Sequence, residues 1–392
     1  MMPHIALITT SYPDGQPGSE AAGSFVADFA AALAQHVKVT VLAPSLEASI
    51  EAQAENLSVW RFAVPAMPLS LLRPGNPAHW AAICRTLLAG GAAWRQLVRE
   101  HTIDHIFALW ALPSGYWARC ARNAANIPYS VWALGSDIWS LSKVPVVKHL
   151  LRNVVRSSHA CFADGYLLQQ DVELMSGRAC HFLPSSRKLP AVATKQLAAL
   201  PPYKLAFLGR WHPNKGVDLL LDSLGLLRDK DWENISEVRI CGGGPLEPRV
   251  RHACSVLLEA QRPVTLTGYL GRHEAVQLFA WADYVLLPSR VESIPVVFSD
   301  AMQSRCPVIC TPVGDLPRLI AEYRVGLAAE EANPPSFCKA LQQALSHAPL
   351  WFEHNLRAAA AAFDIDASAL QFLQAINATS SGSDYAATHS VQ

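Results

Sequence analysis

Two carboxylates stand eight positions apart in Arg290-Val-Glu-Ser-Ile-Pro-Val-Val-Phe-Ser-Asp300, Glu292 ahead of a proline and Asp300 behind it. Proline at 295 suits the first position of a helix, where its missing N–H costs nothing. Glu292 is therefore expected in an entry loop and Asp300 more than a turn into the helix. The amides of Ile294, Val296 and Val297, with the positive end of that helix, would make a site for a diphosphate. Flanking carboxylates would accept hydrogen bonds from sugar hydroxyls, although an exposed loop glutamate and a helix-face aspartate fit the same segment. Upstream, Lys204-Leu-Ala-Phe-Leu-Gly209 reads as a strand running into Arg210-Trp-His-Pro-Asn-Lys-Gly216. Two cations at the carboxyl end of a strand suit a leaving diphosphate, whose charge grows as the sugar carbon–oxygen bond breaks. The guanidinium of Arg210 can grip phosphate oxygens in pairs, and the ammonium of Lys215 acts as a point charge.

Short apolar β-like runs alternate with helical stretches in both halves, the pattern of parallel sheets covered on both faces. The first half offers strands near His4–Thr10, Val37–Leu42, Leu57–Val64, Asp104–Trp110, Pro128–Leu134, Ala160–Ala163 and Cys180–Leu183. The fold class is α/β, with two doubly wound Rossmann-like domains. They are expected at 1–188 and 203–365, joined by a linker at 189–202. A C-terminal helix at 366–378 and a disordered Ser/Gly/Ala-rich tail at 379–392 complete the division.

Five ordered segments of the second half resemble those of retaining glycosyltransferases of the GT-B fold, in glycosyltransferase family 4. They are Gly209-Arg210 with Lys215-Gly216, Ile240-Cys-Gly-Gly-Gly-Pro245, Thr267-Gly268-Tyr269, Pro288-Ser289 with Glu292 and Asp300, and Pro307-Val-Ile-Cys-Thr-Pro-Val-Gly-Asp-Leu-Pro317. The resemblance implies two domains facing a cleft, with the last helix crossing back to the first domain. It gives Arg210 and Lys215 the donor diphosphate, Glu292 the transferred sugar and Asp300 the ribose hydroxyls. Gly243, Tyr269, Ile294, Val296 and Val297 would complete the donor side, and Gly23 would approach the phosphate from the first domain. Asp137, Ser136 and Trp110 would lie on the acceptor side. The substrate implied is a nucleoside diphosphate sugar, with no cofactor and no metal, and the acceptor a glycan or lipid-linked hydroxyl in surface glycan assembly. Three departures stand out: Asp300 where the family has Glu, and Leu109 and Leu134 where it commonly has His. They leave open a catalytically silent sugar-nucleotide binder or partner subunit.

Composition bounds the remaining classes. With half of the 392 residues apolar, the chain can fill two large cores, and a formal net charge of zero gives a nucleic-acid partner no support. Nine cysteines without a C-x-x-C pair argue for reduced thiols and a cytoplasmic protein. Trp80–Val98, the longest apolar region, is interrupted by Arg85 and Arg95, so no transmembrane helix is expected, and no signal peptide is visible. Residues 138–163 contain no acid but carry Lys143, Lys148, Arg152 and Arg156 beside apolar residues at helical spacing. Such a helix, over 143–156, would bring the protein to the inner face of an anionic membrane or simply pack on a sheet. Asp364-Ile-Asp366 matches an Asp-x-Asp metal pattern but precedes a helix, where an N-cap is the expected role.

Overall fold

The computed structural model describes residues 2–14, 20–67, 69, 72, 74–190 and 195–387. They form two units, one of Met1–Pro184 with Ile365–Gln392 and one of Ser185–Asp364.

Unit 1 carries strands β1 (His4–Ile8), β2 (Lys38–Ser45), β3 (Ser49–Ala54), β4 (Leu57–Ala63), β5 (His105–Leu109), β6 (Tyr129–Ala133), β7 (Cys161–Ala163) and β8 (His181–Phe182). Its helices are α1 (Glu20–Leu33), α2 (Trp80–Glu100), α3 (Ser114–Ala125), α4 (Ser136–Trp139), α5 (Pro145–Arg156) and α6 (Tyr166–Ser176). The sheet order is β3-β4-β2-β1-β5-β6-β7-β8. All pairs are parallel except β3–β4. Every residue of β1, β5 and β6 is buried, as a parallel strand covered on both faces requires. The strand β3 was not expected. Its sequence, Ser-Ile-Glu-Ala-Gln-Ala, is almost wholly exposed at the sheet edge and shows no apolar run. Pairing with β4 alone makes it a strand.

The C-terminal helix, Ile365–Ala387, belongs to unit 1 although all of unit 2 precedes it in the chain. Phe372 stacks on Phe107 with centroids 4.1 Å apart and meets Phe29 edge-on at 6.0 Å. Gln371 donates to the carbonyl of Phe182 at 2.8 Å, and His159 Nε2 lies 2.9 Å from the carbonyl of Ile376. The helix continues through 379–387, the first part of the expected tail, and 388–392 lie outside the described residues.

Unit 2 carries β9 (Tyr203–Arg210), β10 (Ile235–Gly243), β11 (Val264–Thr267), β12 (Tyr284–Leu287), β13 (Val308–Cys310) and β14 (Gly326–Ala328). Its helices are α7 (Val217–Leu224), α8 (Asp229–Trp232), α9 (Glu247–Glu259), α10 (Arg272–Trp281), α11 (Val296–Gln303), α12 (Leu316–Tyr323), α13 (Pro334–Leu345) and α14 (Glu353–Ala362). The six strands are parallel throughout, in the order β11-β10-β9-β12-β13-β14. Unit 2 begins at Ser185, ahead of the expected linker at 189–202, because Arg187 and the carbonyl of Lys188 are already bonded to Asp300 and Arg272. It ends at Asp364, one residue before the expected boundary. Strand order reverses at β1/β5 in unit 1 and at β9/β12 in unit 2. Loops diverge at such points and leave a crevice beyond the carboxyl ends of the strands.

Candidate functional site

Strand β9 ends at Arg210, whose guanidinium is exposed and makes no ion pair or side-chain hydrogen bond among the described residues. A 3₁₀ turn, Pro213–Lys215, follows and is capped by His212, whose Nδ1 accepts from the Asn214 amide at 3.2 Å. Burial and the charges of Arg210 and Lys215 lower the His212 pKa, which keeps Nδ1 free to accept. Gly216 then turns left-handed at φ +67°, and a Cβ there would stand 1.8 Å from the Pro288 carbonyl oxygen. Glycine thus lets the Lys215 loop lie directly on the chain leaving β12.

Arg290 ties the same two loops together. Its amide donates to the Asn214 carbonyl at 2.7 Å, its Nη1 donates to the Pro213 carbonyl at 2.9 Å, and its guanidinium pairs both oxygens of Asp218 at 2.8 and 3.0 Å. Burial alone would raise the Asp218 carboxyl, but this guanidinium holds it below its ordinary value. With the loops fixed, Lys215 Nζ reaches Glu292 Oε1, and Ser289 Oγ lies 3.4 Å from the same oxygen. Gly314 packs from the far side, where a Cβ would meet the carbonyl oxygens of Glu292 and Ser293 at 2.4 Å. Helix α11 starts after Pro295, and among the described residues the amides of Ile294, Val296 and Val297 donate to no backbone acceptor. Among the described residues the buried hydroxyl of Ser293 beside them has no hydrogen-bond partner. Gly209, Lys215, Ser289, Glu292, Pro295 and Val297 line one crevice of about 30 Å³. A larger cavity of about 340 Å³ opens in unit 1 between Arg122, Tyr129, Ser157, His159 and Arg178, and none of the expected site residues lines it.

Unit 2 therefore brings Lys215, Glu292 and the amides together, with Arg210 at the end of the neighbouring strand. Tyr269 is about half exposed and donates to the Gly243 carbonyl at 2.8 Å, its ring resting on the Gly243 backbone. Asp300 differs from the sequence expectation. It is fully buried, and Arg187 takes both its oxygens, with Nε 3.1 Å from Oδ1 and Nη2 in contact with Oδ2. Sequence reasoning missed Arg187, which stands 113 positions away in a segment read as the end of unit 1, and it missed the brace between Arg290 and Asp218.

In unit 1, Gly23 lies on α1 with its backbone against Tyr12, where a Cβ would come within 2.9 Å. Trp110 follows β5 at φ +67°, and Phe25 meets its ring edge-on at 6.1 Å. Ser136 is exposed at the start of α4. Asp137 is buried beside it and accepts from the amides of Ala111 at 2.5 Å and Leu134 at 3.2 Å. Burial pushes its carboxyl up to about 6, against the pull of these amides. A carboxyl raised on folding makes the native state bind the extra proton between the two pKa values. Its contribution is therefore full below about pH 4 and lost as pH rises past about 6, a span of roughly 3 kcal/mol. Urea unfolding between pH 4 and 7 should show this fall in the parent protein. The variant Asp137→Asn should lack it, and an unchanged pH profile in that variant would refute the assignment.

Residues 202–347 match the family described as Glycosyl transferases group 1. The chain is 30% identical over 172 residues to D-inositol 3-phosphate glycosyltransferase of Corynebacterium aurimucosum, covering 43% of this chain and 41% of the relative. It is 26% identical over 268 residues to the putative teichuronic acid biosynthesis glycosyltransferase TuaC of Bacillus subtilis, covering 63% and 62%. These matches span less than two thirds of the relatives' own lengths. Among solved structures, Anabaena Alr3699/HepE in complex with UDP and glucose superimposes with a TM-score of 0.69 at 16% identity, over 96% of this chain and 100% of that one. By these comparisons the second unit is similar to the group 1 glycosyl transferases, and the chain, with its two Rossmann-like units, has the GT-B fold.

Proposed function

We propose that the protein is a retaining, metal-independent glycosyltransferase that moves a sugar from a nucleoside diphosphate donor to a hydroxyl of a glycan or lipid-linked acceptor, in the assembly of surface glycans or glycolipids. One observation carries the reading: Lys215 and Glu292 meet at the carboxyl ends of β9 and β12 beside the start of α11, where, among the described residues, the amides of Ile294, Val296 and Val297 donate to no backbone acceptor and Arg210 makes no ion pair. Cations and amides together can take up the charge of a departing diphosphate without a metal ion. Glu292 is engaged by Lys215, and the departing phosphate oxygen, next to the attacking hydroxyl, can take the acceptor proton itself. Front-side attack of that kind retains the anomeric configuration. The UDP and glucose bound to the Anabaena protein support a nucleoside diphosphate sugar as donor. Nine free cysteines support a cytoplasmic setting. Among the described residues no helix is long and apolar enough to cross a membrane. Contact with an anionic inner leaflet would rest on the exposed Lys143, Lys148, Arg152 and Arg156 with Val144 and Val146, because Leu151, Val154 and Val155 of the apolar stripe are buried in unit 1.

The test is calorimetric binding and turnover with uridine, guanosine and adenosine diphosphate sugars. Binding below about 100 μM with measurable hydrolysis or transfer for one base is the expected result, in the ordinary range of enzyme–substrate affinity. Tight binding without turnover would favour a silent sugar-nucleotide binder, and no binding to any member of the panel would reject both.

A further inference from the structure

We propose that Arg187 is a positioning residue for the donor platform: by holding both oxygens of Asp300 it clasps α11 to the segment that enters unit 2, and it withdraws that carboxylate from the donor's pentose. The proposal rests on the reading of the crevice as a donor site. The contact is a fork, one guanidinium nitrogen to each carboxylate oxygen, which fixes orientation as well as distance. Asp300 has no exposed surface from which to accept a ligand hydroxyl, and the Arg187 side chain is only 17% exposed. One helical turn further on, Gln303 repeats the connection. Its Nε2 donates to the Arg187 carbonyl at 2.7 Å, and its Oε1 accepts from the Leu189 amide at 3.4 Å. Arg272 donates to the Lys188 carbonyl at 3.2 Å, so the entering segment is held from a second helix as well.

Asp300 and Gln303 share one face of α11, and the free amides of Val296 and Val297 open the same helix about a turn before Asp300. Fixing that face therefore fixes where the amides point. The shorter acid suits the clasp, because glutamate would carry the carboxylate one methylene further inside a fully buried site.

Arg187→Met, Asp300→Asn, the double variant and Arg187→Lys separate a clasp from a pentose ligand. Affinities are measured for the preferred nucleoside 5′-diphosphate and for its 2′-deoxy counterpart, and urea midpoints are recorded for each protein. Each of the first two variants should weaken nucleotide binding about three- to tenfold, and the double variant no further than the poorer single one. Arg187→Lys should recover part of the loss. The ratio of ribo to 2′-deoxyribo affinity should stay within about twofold of the parent throughout, since no pentose contact is removed. Asp300→Asn erasing that ratio while Arg187→Met preserves it would overturn the proposal and return Asp300 to the ribose. If the parent protein binds no nucleoside diphosphate, the proposed function fails, and the unfolding midpoints decide the clasp: coupled effects uphold it, and simple additivity removes it.

Discussion

Lys215→Ala is expected to lower kcat/KM for the preferred donor by about 10²–10³, or roughly 3–4 kcal/mol of transition-state stabilisation, the usual cost of losing one fixed charge donor. The geometry explains why the loss should fall on turnover more than on folding. Lys215 is about one-third exposed, and an ion pair at such a site adds little to stability. Its turn is fixed by other means: His212 caps it, Gly216 seats it on the Pro288 carbonyl, and Arg290 binds the Pro213 and Asn214 carbonyls. The alanine variant should therefore keep its urea midpoint while losing rate. It also leaves Glu292 without a cation, so a negative charge would face the incoming diphosphate. Glu292→Gln in the Lys215→Ala background should then recover part of the donor affinity. Parent-like turnover in Lys215→Ala would show that the diphosphate is held elsewhere.

The parts of this site that were legible in the sequence are those whose chemistry is local. A strand, a short loop with two cations and a helix can be read within some fifteen residues, and so can a glutamate, a proline and the helix that proline starts. Each of those segments forms the element its pattern suggests, with Pro295 at the N-cap rather than the first helical position, and the parallel sheets follow from buried, mostly apolar strands such as those at Ile5 and Phe107. Arg187 had no local signal. Its partner Asp300 is 113 positions away, and a basic residue near a domain junction reads as solvated surface. The brace between Arg290 and Asp218, 72 positions apart, was hidden for the same reason. Asp137 was expected on the acceptor side. In the fold its oxygens are taken by the amides of Ala111 and Leu134, the first of them 26 positions upstream. β3 escaped because an exposed edge strand needs no apolar face.

Gly216→Ala should destabilise unit 2 by about 3–5 kcal/mol, among the largest effects open to a single methyl group here. Two costs add. A left-handed residue with a Cβ loses about 1–2 kcal/mol relative to glycine, and the added carbon would lie 1.8 Å from the Pro288 carbonyl oxygen. That oxygen belongs to backbone leaving a fully buried strand, so it cannot swing aside as a long side chain would. Relief requires the Lys215 loop to lift from β12, which would break the Arg290 contacts with the Pro213 and Asn214 carbonyls and part Lys215 from Glu292. Stability and turnover should therefore fall together, unlike in Lys215→Ala. Gly225→Ala is the control. Gly225 closes α7 at φ −66°, and its nearest neighbour, the Asp222 carbonyl oxygen, would lie 3.5 Å from a Cβ. A change there should be neutral or stabilising by a few tenths of a kcal/mol. Urea midpoints for the two variants, set beside donor turnover, decide the matter. Equal midpoints would mean that the loop yields at little cost and that glycine at 216 does not set the position of Lys215.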